Sequence, residues 1–580
     1  MLRKLRTPLA LLILLVAGLP LQAAETALDP ISQEASLVIR FKKPKASIEK
    51  IADMVDQIIP GQGDQVRQQA AMIGGAISNP TLAGVDMDAD WYVAMYTDDD
   101  DDKSGDDDPT FLFIVPATDL KAMKEALGDS FKFMEHGKLG VYTSDEATAK
   151  DAAARLKGEG KSISTLIDKD SSSLFTSGDL GVFINVKQLA IDYKDEIAQF
   201  KEDAKQKVEN IPAGAAGNMN PAQITEIANQ VMKFLSDGLD DSTSCTIAAT
   251  FSKEGLIFED LVKVKSGSGT DKLLARSPAG ALATFSSLPA GHLAYFGLTW
   301  DSADFAKLNQ WLKGISSGSI KPEVGKELDA VLAESAKLKI ASKVGAIGLG
   351  DADEGAVRTV SITEVDNPSK MRELTQKSLK IMEKVDVPGV KQKSDYKKDA
   401  EKYGKNSADV VTVKTEFGEG GADPFAQMIE RAMSMLFGAE GATTRAVYLK
   451  DRVIETMGGG KQAMTDALAA QEQKPSSTKP AFEQARGKLT AKSNVVFLVD
   501  LPNTVAKILE VVVQSQILGP ALPLDANQLK DLQSKPSYFG LSAATEAQGL
   551  RVKTTIPVEQ MQGIAKIVMF VQQLIGGAGQ

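Results

Sequence analysis

Five oxygen-bearing side chains stand at alternate positions in the run DDDDDKSGDDDP: Asp100, Asp102, Ser104, Asp106 and Asp108, with Gly105 among them. Calcium takes several hard oxygen ligands, and this spacing matches the first nine places of a helix–loop–helix calcium loop with its glycine sixth. The twelfth place holds Phe111, where that loop needs a bidentate glutamate. Strand-like runs, DWYVAMYT and TFLFIV, flank it where helices belong. Repulsion among the carboxylates favours a solvated hairpin tip, with weak Ca2+ binding as the alternative. The residues point to no other cofactor.

Nucleophile patterns are present but incomplete. Gly314-Ile-Ser316-Ser-Gly318 has the spacing of a nucleophile elbow, yet it follows a helix pattern where the elbow must follow a strand. Ser47 with Lys50 and Ser476 with Lys479 have Ser-x-x-Lys spacing, and a four-residue pattern of common residues recurs by chance. Gly458-Gly-Gly-Lys461 joins a strand to a helix, but Glu455 and Gln462 stand where a phosphate loop needs Gly and Ser/Thr, so it reads as a turn. His136 and His292 are the chain's two histidines and Cys245 its one cysteine, which leaves no His/Cys metal site. Catalytic residues are therefore not assigned. A hydrolase using carboxylates or a Ser/Lys pair stays as an alternative reading.

The elements that would position these residues follow an order that repeats. In one half ASLVIRF, a helix from Pro44, the strand pair around the aspartate run, the hairpin FKFMEHGKLGVYT and a helix capped by Ser144 or Asp145 come in turn. GVFINV, helix patterns, TIAATF and LIFEDLVKV close that half. In the other half HLAYFGLTW, KVGAIGLG with VRTVSITEV, TRAVYLKDRVIETM, VVFLVD, YFGLSAA and LRVKTTI take the same places. Val182-Phe183-Ile184 answers Val496-Phe497-Leu498, and Gly255-Leu256 answers Gly549-Leu550. The expected class is α+β: two tandem, similar domains, each a mainly antiparallel sheet with helices packed on one face. The boundaries are 25–276 and 277–580, with an insertion near 386–440 whose basic run KQKSDYKKDAEKYGKN reads as a solvated face.

With 43% hydrophobic and 25% charged residues in 580, the chain suits folded domains. Residues 1–24 carry Arg3, Lys4 and Arg6, an apolar run from Leu9 to Leu19 and small residues near Ala23, which is the pattern of a cleaved signal peptide. Its removal takes three cations from 66 basic against 77 acidic residues and moves the net charge from −11 to about −14. Such a surface repels nucleic acid and offers no basic face to an anionic membrane. The expected location is periplasmic or secreted. The closing helix pattern, Val558 to Ile575, carries Lys566 and several Gln/Glu, so it reads as docking rather than membrane-spanning.

Leu288-Pro289-Ala290 precedes HLAYFGL. With the repeated strand–helix order, this phrase resembles an uncharacterised family of exported bacterial proteins with duplicated strand–helix domains. The resemblance implies an envelope location and carries over no functional residue. The reading is an acidic, soluble envelope protein, non-catalytic, that binds a partner protein or a small ligand. A carrier of an apolar ligand is a further alternative, which requires the Met-rich apolar helices to line a cavity.

Overall fold

The run Leu37–Phe41 becomes β1, a strand paired on both edges. The computed structural model describes residues 27–70, 72–97, 109–209, 221–299, 322–350, 355–384, 390–417, 424–472, 480–515 and 526–577. The aspartate run, Ser316 and Ser476–Lys479 lie outside them. The chain divides into two compact units. Unit 1 is Met1–Ala204, Met232–Leu274 and Ala547–Ala565; unit 2 is Lys205–Val231, Ala275–Glu546 and Lys566–Gln580.

After β1 come α1 (Pro44–Ile58), α2 (Gly63–Ala70), α3 (Ile73–Ala76), β2 (Trp91–Tyr96), β3 (Thr110–Pro116) and α4 (Leu120–Leu127). The hairpin β4 (Lys132–His136) and β5 (Leu139–Thr143) leads to α5 (Glu146–Leu156), α6 (Lys169–Ser177) and β6 (Leu180–Ile184). Next are α7 (Val186–Asp192), α8 (Lys194–Glu209), α9 (Pro221–Asp241), β7 (Ser242–Ser252), β8 (Gly255–Val264) and α10 (Gly269–Arg276). Then follow β9 (Ala294–Leu298), α11 (Pro322–Ser335), β10 (Ile340–Leu349), β11 (Val357–Val365) and α12 (Pro368–Met382). The hairpin β12 (Val390–Tyr403) and β13 (Asn406–Phe417) precedes α13 (Pro424–Phe437), β14 (Ala442–Tyr448) and β15 (Arg452–Met457). After them stand α14 (Gly460–Glu472), α15 (Ala481–Gly487), β16 (Val495–Val499), α16 (Leu501–Ser515) and α17 (Ala526–Leu532). The last elements are β17 (Phe539–Glu546), β18 (Gly549–Pro557) and α18 (Val558–Gly577).

The class is α+β, with antiparallel pairing throughout. Unit 1 has the strand order β4-β5-β3-β2-β1-β6-β7-β8-β18. Unit 2 has β12-β13-β14-β15-β11-β10-β9-β16-β17. From β4 to β7 and from β14 to β17 the order is the same, and β12–β13 is an added hairpin beyond β14. The run read as a solvated basic face is thus the 14-residue strand β12, because pairing with the valine-rich β13 overrides its poor strand propensity.

Register corrects the residue-level match between halves by one position. Val182 stands opposite Ile39 on β1, and Phe497 opposite Phe296 on β9. At the strand ends the Asn185 amide donates to the Ser36 carbonyl at 3.0 Å, and the Asp500 amide to the Leu293 carbonyl at 2.7 Å. Val182 therefore corresponds to Phe497, not Val496. A slip of one would exchange the two faces of the strand.

Helices lie on both faces of each sheet's centre, which corrects the one-face expectation. In unit 1, Ile39, Trp91, Val93, Phe113 and Tyr142 share one core with Ile48 of α1 and Met123 of α4. Val38, Tyr92, Ala94, Leu112 and Ile114 share the other with Ala152 of α5 and Phe175 of α6. The continuous apolar runs of β2 and β3 demand this cover. In unit 2, Tyr295, Val344, Ile362 and Val496 pack with Met464 and Phe482, while Val365 and Val453 pack with Val331 and Leu374. The helical stretch after α1 is broken in two, α2 and α3. Gly74 lies where a Cβ would stand 2.4 Å from the Asn79 carbonyl oxygen, an approach that glycine alone permits. Among the described residues no helix is long and apolar enough to cross a membrane.

A candidate ligand face around Asp260

The described members of the expected chemical patterns are engaged in structure. The Ser47 hydroxyl donates to the carbonyls of Lys42 and Lys43 at 3.1 and 2.9 Å inside the first turn of α1, while Lys50 Nζ pairs with Asp179 at 3.2 Å. The lysine is thus aimed away from the hydroxyl it would have to activate. Gly458, Gly459 and Gly460 all have positive φ, and a Cβ on Gly458 would meet the Val357 carbonyl oxygen at 2.2 Å, so this is a tight entry to α14. His292 is held among tyrosines: its amide donates to the Tyr295 hydroxyl, and its carbonyl accepts from Tyr538 at 2.8 Å. Burial keeps its imidazole below the ordinary value. The Tyr295 hydroxyl also donates to the Pro289 carbonyl at 3.1 Å, which ties the Leu288-Pro289-Ala290 phrase to β9. Among the described residues no three His, Cys, Asp or Glu side chains converge on a metal position.

Most buried charges are paired in the frame. Arg40 on β1 meets Asp90 through Nε at 3.0 Å and Nη2 at 2.6 Å, and its Nη1 donates to the Thr176 carbonyl at 3.0 Å beside the C-terminal end of α6. Lys263 reaches Asp168 and Asp170 at 3.3 and 3.1 Å. On the same side of the sheet as Lys263, and opposite to Asp260, Glu259 takes both Arg551 at 2.6 Å and Lys553 at 3.1 Å.

Asp260 differs. Antiparallel register puts it on β8 between Ile247 of β7 and Val552 of β18. The neighbouring pairs on that face are Val262 with Cys245 and Leu550, and Cys245 with Ile184 of β6. Ile184, Cys245, Ile247, Asp260, Val262, Leu550 and Val552 are all half-buried. On the opposite face Phe183, Thr246, Ala248, Leu261 and Thr555 are buried, while Glu259, Arg551 and Lys553 are half-buried. A sheet with one covered face ordinarily turns polar residues outward, yet this outward stretch is aliphatic around one carboxylate. At one end it continues into a packed region, where Ile51 and Met54 of α1 and Met561 of α18 cover Ala249, Phe251 and Phe258. Beyond that cover the described side chains of this face are half-buried.

Among the described residues no hydrogen-bond or ion-pair partner faces the Asp260 carboxylate. Burial, then the neighbouring Glu259, raises its pKa above the ordinary aspartate value. Burial, then Asp260, pushes the Cys245 thiol up to about 11, which places thiol and carboxyl within each other's field and makes the thiol unreactive at neutral pH. Nothing in the sequence around LIFEDLVKV singles out Asp260. Only the β7–β8–β18 register reveals it.

The raised pKa of Asp260 makes stability depend on pH. The folded state holds the Asp260 proton more tightly than the unfolded chain, so stability falls as pH rises from the ordinary aspartate range through the raised value, and stays lower above it. Asp260→Asn carries no charge at any pH. It is expected to raise the melting midpoint at pH 7 by roughly 1–3 °C and to match the wild type near pH 3. Thermal melts at the two pH values measure this; a lower midpoint for the variant at pH 7 would mean that the carboxylate is satisfied.

No family model matches the chain, and no curated protein matches it. A solved structure titled "Structure of crystal form III of TP0453" aligns at 8% identity over 43% of this chain and 85% of that one, with a TM-score of 0.20. That likeness is too low to carry an argument.

Proposed function

We propose that this chain is an exported, non-catalytic binding protein that holds an apolar ligand against the Asp260-bearing face of β6, β7, β8 and β18. The observation that carries the reading is the half-buried aliphatic stretch from Ile184 to Val552 around Asp260, on strands whose opposite face buries Phe183, Ala248 and Leu261. A partly buried apolar surface with few polar groups is the ordinary chemistry of a ligand site. The leader-like pattern of residues 1–24 supports export. The matching strand orders of the two units support an origin by tandem duplication, and with it the resemblance to exported proteins with duplicated strand–helix domains. The aspartate run remains a weak Ca2+ candidate, for which a rise of the melting midpoint with millimolar calcium over chelator is the test.

Nile red, a neutral solvatochromic dye, tests the face without favouring either charge. Its emission is expected to rise and shift to shorter wavelength with the wild-type protein. Val552→Glu and Ile184→Glu, which place carboxylates on the face, are expected to abolish the effect. Unchanged dye binding in both variants would move the site elsewhere and sink the reading.

A further inference from the structure

We propose that the ligand of this face is an amphipathic cation: an alkyl or aryl body lying across Ile184, Ile247, Val262, Leu550 and Val552, with an ammonium group meeting the Asp260 carboxylate. This rests on the face being a ligand site.

Charge complementarity selects the cation. The pairing register sets Asp260 inside the aliphatic stretch, so any ligand covering its neighbours must also cover the carboxylate. The nearest cations on the adjoining strand do not compensate it. Arg551 and Lys553 alternate onto the opposite side of the sheet and are taken by Glu259. Among the described residues the carboxylate thus has no countercharge while sitting half out of water, a state reflected in its raised affinity for a proton. An ammonium at hydrogen-bond distance supplies both the missing charge and a donor, and in partly desolvated surroundings such a charge-assisted contact is strong. A fatty-acid carboxylate placed there sets two negative charges together, and an alcohol offers one neutral hydrogen bond. The net charge of −11 over the chain favours approach of a cation as well.

Three probes with one tail separate these cases: dodecylamine, dodecanol and dodecanoate, each below its aggregation concentration and titrated against bound Nile red at neutral pH. Dodecylammonium is expected to displace the dye at a concentration at least tenfold below that of dodecanoate, with dodecanol between them. Asp260→Asn is expected to erase that preference by weakening the amine about tenfold or more and leaving dodecanol unchanged. The variant removes a strained charge, so its folding is not at issue. Equal displacement by amine and carboxylate, or an amine affinity untouched by Asp260→Asn, overturns the cation while leaving the apolar face intact. Failure of Nile red to bind at all overturns the face itself. Displacement by a lysine-containing peptide but not by the amine overturns the small ligand in favour of a protein partner.

Discussion

Arg40→Ala is expected to cost unit 1 about 3–5 kcal/mol of unfolding free energy, the largest single effect in the molecule. Arg40 is 3% exposed on the central strand, and its guanidinium serves two masters: the Asp90 carboxylate and the backbone carbonyls that end α6. Truncation leaves Asp90 as a charge without its partner in a largely dry site and strips the last turn of α6 of its donor. The loss is mostly the penalty of that stranded carboxylate rather than the worth of the pair. For that reason Arg40→Met combined with Asp90→Leu is expected to recover much of it. Denaturant unfolding of the three proteins, with hydrogen exchange in β1 and α6 to assign the transition, measures the difference. A loss below about 1 kcal/mol for Arg40→Ala, the scale of an exposed ion pair, would show that water enters the site.

The second large effect is expected in unit 2 at Asp409, which is 1% exposed on β13. Its carboxylate accepts from Arg372 of α12, from the Tyr396 hydroxyl of β12 and from the Asp399 amide at 2.9 Å, while Arg372 also reaches Asp399 at 2.9 Å and lies over the Tyr448 ring. These contacts fix the irregular stretch of the β12–β13 pairing between Lys397 and Glu401, where Asp399 adopts φ 52°. Asp409→Ala leaves the guanidinium, a hydroxyl and an amide unpaired at once, and the expected cost is about 2–3 kcal/mol. The acid behaviour has a definite sign. Burial opposes ionisation, but the Arg372 and Tyr396 hydrogen bonds outweigh it and hold the carboxyl below its ordinary value. The stabilisation is therefore complete above the ordinary aspartate range and is lost as pH falls through the depressed value. Limited proteolysis of the β12–β13 hairpin is expected to accelerate in the variant at neutral pH and in the wild type only in acid. Equal resistance of both proteins at neutral pH would contradict this anchoring role.

Much of the fold is written in local patterns. The apolar runs of β2 and β3, the turn at Gly137 with φ 61°, and the Asp145 cap accepting from the Thr148 amide are each legible from a few neighbouring residues. The repeated order of elements is legible as well, since it needs only their sequence along the chain. What escapes is set by distant pairing. Polar β12 is a strand because β13 and α12 hold it, not because Lys and Asp favour extended backbone. The match of Val182 to Phe497 rather than Val496 depends on which residues of β1 and β9 stand opposite. Asp260 is the clearest case. In LIFEDLVKV it is one acid beside another, and nothing local distinguishes it from Glu259. Pairing with β18, nearly 300 residues later, sends Glu259 to two cations and leaves Asp260 among aliphatic side chains. The aspartate run, the strongest local signal, lies outside the described residues.

The most direct measurement uses the chain's own single thiol. Cys245 sits on the same face as Asp260, diagonal to it across the β7–β8 pair. Its reaction with a small neutral thiol reagent, at fixed alkaline pH, is to be timed with and without saturating Nile red. A neutral ligand brings no charge to the sulfur, so a slower reaction reports cover, through blocked access and further desolvation of the thiolate. The expected result is a slowing of at least tenfold. A rate unchanged while the dye is bound would place the ligand elsewhere and contradict the assignment of the β6–β7–β8–β18 face as the binding surface.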